Sequence, residues 1–349
     1  MQSTYLSQFG LAWGLMQVHS LSGIVDLHSD LPVDISRRRG KGEHQVLERY
    51  HLEKLRKGSV TAVISPIWVE SSYKPAGALK RGLQIVDAFI MDLKESSQFQ
   101  LVTSHREFVE AENAGKISLF LGVEGGEIIE DDLGLLRDFY RLGLRCFGFC
   151  WNQRNLMADG WDHYKDDQGL TDFGKQVVEE LGNLGVIMDL SHMSRKGFWN
   201  VLDTAKDPLM VSHTITSLDH SFRAMNDDQL KAVASNGGLI GVAAINMQGD
   251  PAVFPSIPDL KTYCDHIEHA VKIAGPDHVG MGPDFYDYFI ESLPTEYPST
   301  TNFALVKDLE DHSKLGGVFS ELSSRGLSDD ELRMIAKDNF VRVLKQVVG

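Results

Sequence analysis

Cysteine is scarce in this sequence, and the few cysteines form no pattern typical of a metal site or a disulfide framework. Cys146, Cys150 and Cys264 contain no Cys-x-x-Cys pair, and three thiols cannot all pair with one another. Disulfides are rare in reducing compartments. The sequence therefore predicts free thiols and a cytoplasmic location.

Long apolar runs are also absent. A membrane-spanning helix needs about 18 or more consecutive apolar residues, and the sequence contains no such run. The apolar patch Phe9–Met16 has no Lys or Arg before it and no clear cleavage site after it. We therefore predict neither a signal peptide nor a membrane partner.

Basic residues are outnumbered, with 34 Lys and Arg against 49 Asp and Glu and a net charge of −15. This charge would repel a phosphate backbone, which argues against nucleic acid as a partner. The one basic cluster, Arg37–Lys41, is interrupted by Gly40 and is interpreted as an exposed loop. The sequence also has neither a phosphate-binding P-loop nor a Gly-x-Ser-x-Gly nucleophile elbow.

The sequence does contain a regular alternation of short apolar runs with helical segments. The apolar runs are Gly23–Asp30, Ser59–Trp68, Ile117–Glu124, Arg145–Asn152, Gly185–His192, Leu209–His213, Gly238–Ala244 and His278–Asp284. Between them, segments such as Leu170–Asn183 and Ser194–Ala205 have apolar residues three or four apart, as amphipathic helices do. Alternating strands and helices indicate parallel βα units, and eight such units close into an α/β barrel of the (β/α)₈ TIM type.

The same pattern predicts the domain organisation. We predict an N-terminal extension over residues 1–22 and a single barrel domain over residues 23–349. The helical spacing of Ser328–Val348 predicts the last outer helix of this barrel.

Polar residues at the ends of the apolar runs predict a metal site. Asp26, His28 and Asp30 alternate in the first run, and alternate residues of a strand face the same side. Further runs end in Glu124, His192, His213 and Asp284. The carboxyl ends of parallel barrel strands meet at one rim, where the active sites of this fold lie. Imidazoles and carboxylates are ordinary zinc ligands, so this rim is predicted to bind one or two zinc-like ions.

Several motifs resemble those of the membrane dipeptidase (renal dipeptidase) family of binuclear zinc peptidases. They are DLHSDLP, GVEGGE, GLTDFGKQVVEELGNLGVIMDLSH, VSHT, FRAMNDDQL, HVGMGPDF and DNFVRVL. The resemblance implies an amidohydrolase-like barrel that binds two Zn²⁺ per chain, and it makes a homodimer the expected assembly. It implies that His28 and Asp30 bind one zinc, that His192 and His213 bind the other, and that Glu124 bridges them.

The resemblance also implies roles toward a substrate. Arg223 corresponds to the arginine that holds the substrate carboxylate, and Asp284 corresponds to the aspartate that acts as general acid and base. Many members have a histidine that contacts the substrate carbonyl where FCWNQRNLMAD places Trp151. We predict that Trp151 lines a narrower substrate pocket, with packing in the core as the alternative.

Together these features predict a zinc-dependent dipeptidase. Two neighbouring cations can hold a hydroxide between them and polarise the scissile carbonyl, so a small peptide is the expected substrate. The prediction covers L,L dipeptides and those with a D residue at the C-terminal position. Two alternatives remain open: a metal-dependent amidohydrolase that acts on a lactone, a cyclic amide or an N-acyl amino acid, and a zinc-binding barrel without peptidase activity.

Overall fold

A computed structural model describes residues 23–289 and 302–349. The strands are β1 (Ile24–Asp26), β2 (Val60–Trp68), β3 (Phe99–Leu101), β4 (Ile117–Glu124), β5 (Leu144–Gly148), β6 (Ile187–Asp189), β7 (Met210–Thr214), β8 (Leu239–Val242), β9 (Met247–Gln248), β10 (Val279–Met281) and β11 (Asn302–Phe303). The α-helices are α1 (Leu31–Gly40), α2 (Leu52–Lys57), α3 (Ala78–Lys94), α4 (His105–Asn113), α5 (Leu133–Arg141), α6 (Asp172–Leu184), α7 (Arg195–Thr204), α8 (Asp227–Ser235), α9 (Leu260–Ala274), α10 (Leu315–Ser324), α11 (Asp329–Arg333) and α12 (Asn339–Val347). The predicted extension, residues 1–22, lies outside the described residues.

Within the described ranges, eight strands close into a parallel barrel. They pair in the order β1, β2, β4, β5, β6, β7, β8 and β10, and β10 pairs with β1 through Asp26 and Met281. Six of the eight predicted apolar runs contain one of these strands completely, and β5 and β7 each extend one residue beyond their run. The predicted (β/α)₈ barrel is therefore confirmed.

Three short strands were not predicted. β3 adds to the start of β4 through the pair Phe99 and Ile117. β9 and β11 form an antiparallel ribbon, with Met247 opposite Phe303, and both of these side chains line a cavity at the carboxyl end of the barrel. Strands of two or three residues are too short to show a periodicity in the sequence.

The first strand is shorter than predicted, and this corrects the expected role of Asp26. β1 ends at Asp26, so His28 and Asp30 lie in the turn that leads into α1. The Asp26 carboxylate accepts hydrogen bonds from His312 Nε2 at 2.7 Å and from the His28 backbone N–H at 3.0 Å. Asp26 therefore anchors the turn, and its carboxylate does not join those of the rim.

Arg37, Arg38 and Arg39 form the last turn of α1. The interpretation of this cluster as an exposed loop is therefore wrong. Cations at a helix C-terminus interact favourably with the helix dipole. Pro32 occupies the first turn of α1, where its fixed φ suits a helix start.

The C-terminal helix α12 covers one end of the barrel and does not join the ring of helices around it. Ile64 and Phe120, which belong to β2 and β4, form one buried cluster with Phe340 and Val343 of α12. The rings of Phe120 and Phe340 meet edge to face at 5.2 Å. Phe120 precedes Glu124 by four residues of strand, so α12 covers the end of the barrel opposite the rim.

Among the residues that the structure describes, no helix combines the length and the apolar character needed to cross a membrane.

We predict that His312→Ala destabilises the barrel. The buried Asp26 carboxylate would lose one hydrogen-bond donor, and an unsatisfied buried group costs about 1–3 kcal/mol. Urea titration of the free energy of unfolding would measure this loss. The matched control is His44→Ala, because His44 pairs with Glu95 at the surface and its side chain is 68% exposed. Its effect should stay within about 0.5 kcal/mol. Equal losses for the two variants would contradict a structural role of the contact between Asp26 and His312.

Candidate metal centre

Glu124, the last residue of β4, lies between three imidazoles at the carboxyl rim. Its Oε1 is 2.9 Å from Nε2 of His192 and 3.6 Å from Nε2 of His213. Its Oε2 is 3.5 Å from Nε2 of His28. One carboxylate therefore faces one imidazole on one side and two on the other.

Two further carboxylates complete the cluster. Nε2 of His28 is 4.0 Å from Oδ1 of Asp30 and 3.9 Å from Oδ1 of Asp284. Oδ2 of Asp284 is 3.9 Å from Nε2 of His213. The structure thus brings the predicted residues of the metal site together, with the exception of Asp26, whose carboxylate binds His312 instead.

The hydrogen bond to Asn152 fixes the tautomer of His192. The Asn152 Oδ1 atom accepts from the Trp161 indole N–H at 2.6 Å and is 2.7 Å from Nδ1 of His192. An indole N–H can only donate, so the Asn152 atom is the acceptor oxygen and Nδ1 of His192 carries the hydrogen. The Nε2 atom of His192 therefore presents a lone pair to Glu124.

Ser212 orients the imidazoles of His213 and His28 in a similar way. Its hydroxyl donates to Oδ2 of Asp189 at 2.5 Å, so its oxygen is left to accept. Nδ1 of His213 lies 2.9 Å and Nδ1 of His28 lies 3.2 Å from this oxygen. A histidine that binds a metal is normally oriented by such a bond at its other nitrogen.

The resulting arrangement fits a bound cation. Nε2 of His192 and Nε2 of His213 are only 2.8 Å apart, and both carry lone pairs in these tautomers. Nε2 of His28 and Oδ1 of Asp30 are buried and have no hydrogen-bond partner among the described residues. Buried polar atoms without partners are rare in native proteins. These donors suit zinc or a similar divalent ion.

The pKa values of the cluster also support binding of a cation. Burial acts to lower the pKa of His28, but Glu124, Asp284 and Asp30 raise it to about 10. Burial and the nearby Glu124 raise the pKa of Asp30 well above its ordinary value. Burial is also the main reason why the pKa of Asp284 rises to about 7. The cluster therefore retains protons when no cation is bound, and a divalent ion would take their place.

The two remaining imidazoles are held neutral. Burial, helped by the charge of Arg223, lowers the pKa of His192 to about 4. Burial and the charge of His28 lower the pKa of His213 well below its ordinary value. Neutral imidazole is the form that binds a metal.

Two of the residues adopt a left-handed backbone. The φ angle is 65° at His192 and 58° at Asp284. Such a conformation costs a residue other than glycine roughly 1–3 kcal/mol and is found mostly at functional sites. The surrounding hydrogen bonds therefore hold these side chains toward the cluster against their backbone preference.

A cavity opens beside the cluster, and Arg223 and Trp151 both line it. Nη2 of Arg223 is 3.1 Å from Nε2 of His192 and 3.8 Å from Oδ2 of Asp284. The ring of Trp151 meets the ring of Trp68 edge to face at 5.2 Å and is 6.1 Å from the ring of His192. Trp151 therefore lines the cavity and packs in an aromatic cluster whose other rings also line it.

Asn152, Asp189, Ser212 and Arg37 are residues of this site that the sequence analysis missed. Arg37 also lines the cavity. A signal for Ser212 was present, because the dipeptide Ser-His ends two consecutive apolar runs, at His192 and at His213. The roles of Asn152 and Arg37 depend on contacts across the barrel, which local spacing does not show.

Solved structures of known proteins share this fold. An amidohydrolase from Pseudomonas aeruginosa superposes with a TM-score of 0.79 at 24% identity, covering 95% of this chain and 99% of that chain. A metallopeptidase from Rhodobacter sphaeroides, liganded with a phosphinate mimic of the dipeptide L-Ala-D-Ala, superposes with a TM-score of 0.80 at 20% identity. That superposition covers 93% of this chain and 99% of that chain.

Sequence comparison identifies the family. Human Dipeptidase 3 is 29% identical over 357 aligned positions, which cover 97% of this chain and 67% of that protein. The family model described as membrane dipeptidase (peptidase family M19) matches residues 15–348. The resemblance found in the motifs is confirmed, and the chain belongs to the membrane dipeptidase family, peptidase family M19.

Proposed function

We propose that this protein is a zinc-dependent dipeptidase. The observation that carries the proposal is the convergence of three imidazoles on Glu124 beside a cavity lined by Arg223. Membership of the metallopeptidase family M19 supports it, as does the relative that binds a dipeptide mimic.

Two zinc ions per chain are part of the proposal. His28 and Asp30 would hold one ion, His192 and His213 would hold the other, and Glu124 would contribute one oxygen to each. The split of the Glu124 contacts between His28 and the two other imidazoles supports this division. When bound, such a pair supplies a water nucleophile at neutral pH and a Lewis acid for the scissile carbonyl.

The protein's own groups position the substrate and move the proton. Arg223 offers a guanidinium that can bind the C-terminal carboxylate of a dipeptide in a bidentate geometry. Asp284, with its two oxygens 3.9 Å from Nε2 of His28 and of His213, lies where it can accept a proton from the attacking water and pass it to the leaving amine. Arg223 favours a substrate with a free carboxylate over a lactone or a cyclic amide.

The proposal also includes the location of the protein, its assembly, its domain boundary and the shape of its pocket. The three cysteines are free and buried, which supports a cytoplasmic location. A homodimer, a catalytic domain that begins at residue 23, and a pocket narrowed by Trp151 stay predictions. The position of Trp151 on the cavity wall supports the last of these.

The metal proposal predicts that Glu124→Ala abolishes dipeptide hydrolysis and lowers zinc content. One carboxylate serves both ions, so its loss should leave at most one zinc per chain. Elemental analysis of purified protein would measure the zinc content, and the thermal midpoint should fall because bound metal stabilises the folded state. The exposed Glu130, six residues further along the chain, provides a matched control as Glu130→Gln. Active wild-type protein with a single tightly bound divalent ion would contradict the two-ion site.

The proton-transfer role predicts that Asp284→Asn lowers kcat for Ala-Ala while zinc content stays at two per chain. Loss of a group that transfers a proton typically reduces the rate about 10²–10⁴-fold. Steady-state kinetics on metal-loaded protein would measure this. A variant with wild-type kcat would rule out Asp284 as the acid and base.

The carboxylate-binding role predicts that Arg223→Lys raises KM for Ala-Ala much more than KM for alanine p-nitroanilide, which lacks the terminal carboxylate. Lysine keeps the charge but loses the bidentate fork. Paired kinetics on the two substrates would separate binding of the carboxylate from general damage to the site. An equal rise of both KM values would show that Arg223 does not bind this group.

A further inference from the structure

We propose that Arg37 selects dipeptides whose N-terminal residue has an acidic side chain. This inference rests on the proposed function and names the substrate class of the same site. Its basis is the position of Arg37, its unmet hydrogen-bonding capacity and the location of Arg223.

Arg37 lines the same cavity as the metal cluster. It lies on α1 seven residues after Asp30, the residue that caps the start of this helix, and seven residues correspond to about two helical turns, so the two residues lie on the same side of the helix. The guanidinium lies over the ring of Phe289 at 5.0 Å from its centroid, and Phe289 also lines the cavity. A stacked guanidinium is pre-organised to bind a carboxylate.

Arg37 shares its carboxylate partner, Glu70, with a second arginine. Its Nη2 is 3.4 Å from Oε1 of Glu70, but Arg81 already binds both oxygens of Glu70 at 2.9 and 3.0 Å. Arg81 and Arg37 together hold the pKa of Glu70 below its ordinary value, although burial acts to raise it. Two guanidinium groups thus share the Glu70 carboxylate, and the other carboxylate that interacts with the charge of Arg37 is Asp30, which the proposed function assigns to a metal ion.

Of the three consecutive arginines Arg37, Arg38 and Arg39, Arg37 has a buried nitrogen without a hydrogen-bond partner among the described residues. Nη1 of Arg37 is buried and has no hydrogen-bond partner in the described part of the chain. By contrast, Nε of Arg38 is within 3.0 Å of both oxygens of Asp34, and Arg39 binds both oxygens of Glu95. A buried charged donor without a partner is unfavourable. An anionic group in the cavity would remove this penalty.

The two arginines lie at different sides of the metal cluster. Arg223 contacts His192, which faces Oε1 of Glu124. Arg37 shares its helix face with Asp30, whose carboxylate lies by His28, and His28 faces Oε2 of Glu124. A dipeptide held by Arg223 at its C-terminal carboxylate, with its peptide bond at Glu124, extends its N-terminal residue toward Arg37. The side chain that meets Arg37 therefore belongs to the first residue of the dipeptide, and Asp or Glu suits it.

The test compares matched substrates on zinc-loaded, full-length protein. We expect kcat/KM for Glu-Ala to exceed that for Gln-Ala by about 10- to 100-fold, which is the range for a hydrogen-bonded charged group. Arg37→Gln should bring this ratio close to one, and Arg37→Glu should favour Lys-Ala over Gln-Ala. Arg38→Gln is the control, because it removes the neighbouring positive charge from a residue outside the cavity lining, and it should keep the wild-type ratio.

Three results would overturn the inference while leaving the proposed function intact. They are hydrolysis of Ala-Ala by a wild-type enzyme that does not distinguish Glu-Ala from Gln-Ala, a preference that survives Arg37→Gln, and an Arg37-dependent preference for Ala-Glu over Ala-Gln. Failure of the zinc-loaded wild type to hydrolyse any of these dipeptides would instead refute the proposed function, and the inference with it. A wild-type ratio of Glu-Ala to Gln-Ala near one overturns the inference without any variant.

Discussion

Glu124 is buried between the Nε2 atoms of three imidazoles, and the rest of the rim is built around this contact. Lone pairs and carboxylate oxygens repel one another unless a cation or protons lie between them. The fold keeps them together by fixing each imidazole from behind, through Asn152 for His192 and through Ser212 for His28 and His213. The architecture is therefore organised to hold an arrangement that is unfavourable without a bound ion.

Much of this arrangement could be predicted from the sequence, because parallel barrel strands place their last residues at one rim. Glu124, His192, His213 and Asp284 were predicted from this rule alone, without any knowledge of tertiary contacts. Asp26 was misjudged because the sequence does not show where a strand stops and a helix begins. The first strand ends four residues before the predicted Asp30, and the Asp26 carboxylate accepts a hydrogen bond from His312, which is 286 positions away.

The remaining errors have the same origin. Arg37 was grouped with Arg38 and Arg39 because the three are consecutive, yet they have different partners on a helix that turns by 100° per residue. The helical spacing of α12 was correct, but spacing does not distinguish a helix beside the barrel from one beneath it. Local sequence patterns do not show which group each side chain contacts. These contacts determine whether a charged residue belongs to the surface or to a binding site.

The pairing of β1 with β10 has a consequence for the order of events during protein synthesis. A ribosome releases His28 and Asp30 early, but Asp284 emerges more than 250 residues later and His312 later still. The nascent chain therefore cannot complete the ion-binding rim until nearly all of it has been made, and closing so long a loop carries an entropic cost. Domains that form contacts between distant segments fold slowly and expose apolar surface until folding is complete. Metal supply is accordingly expected to act on the last stage of maturation, after the barrel strands around Glu124 have paired.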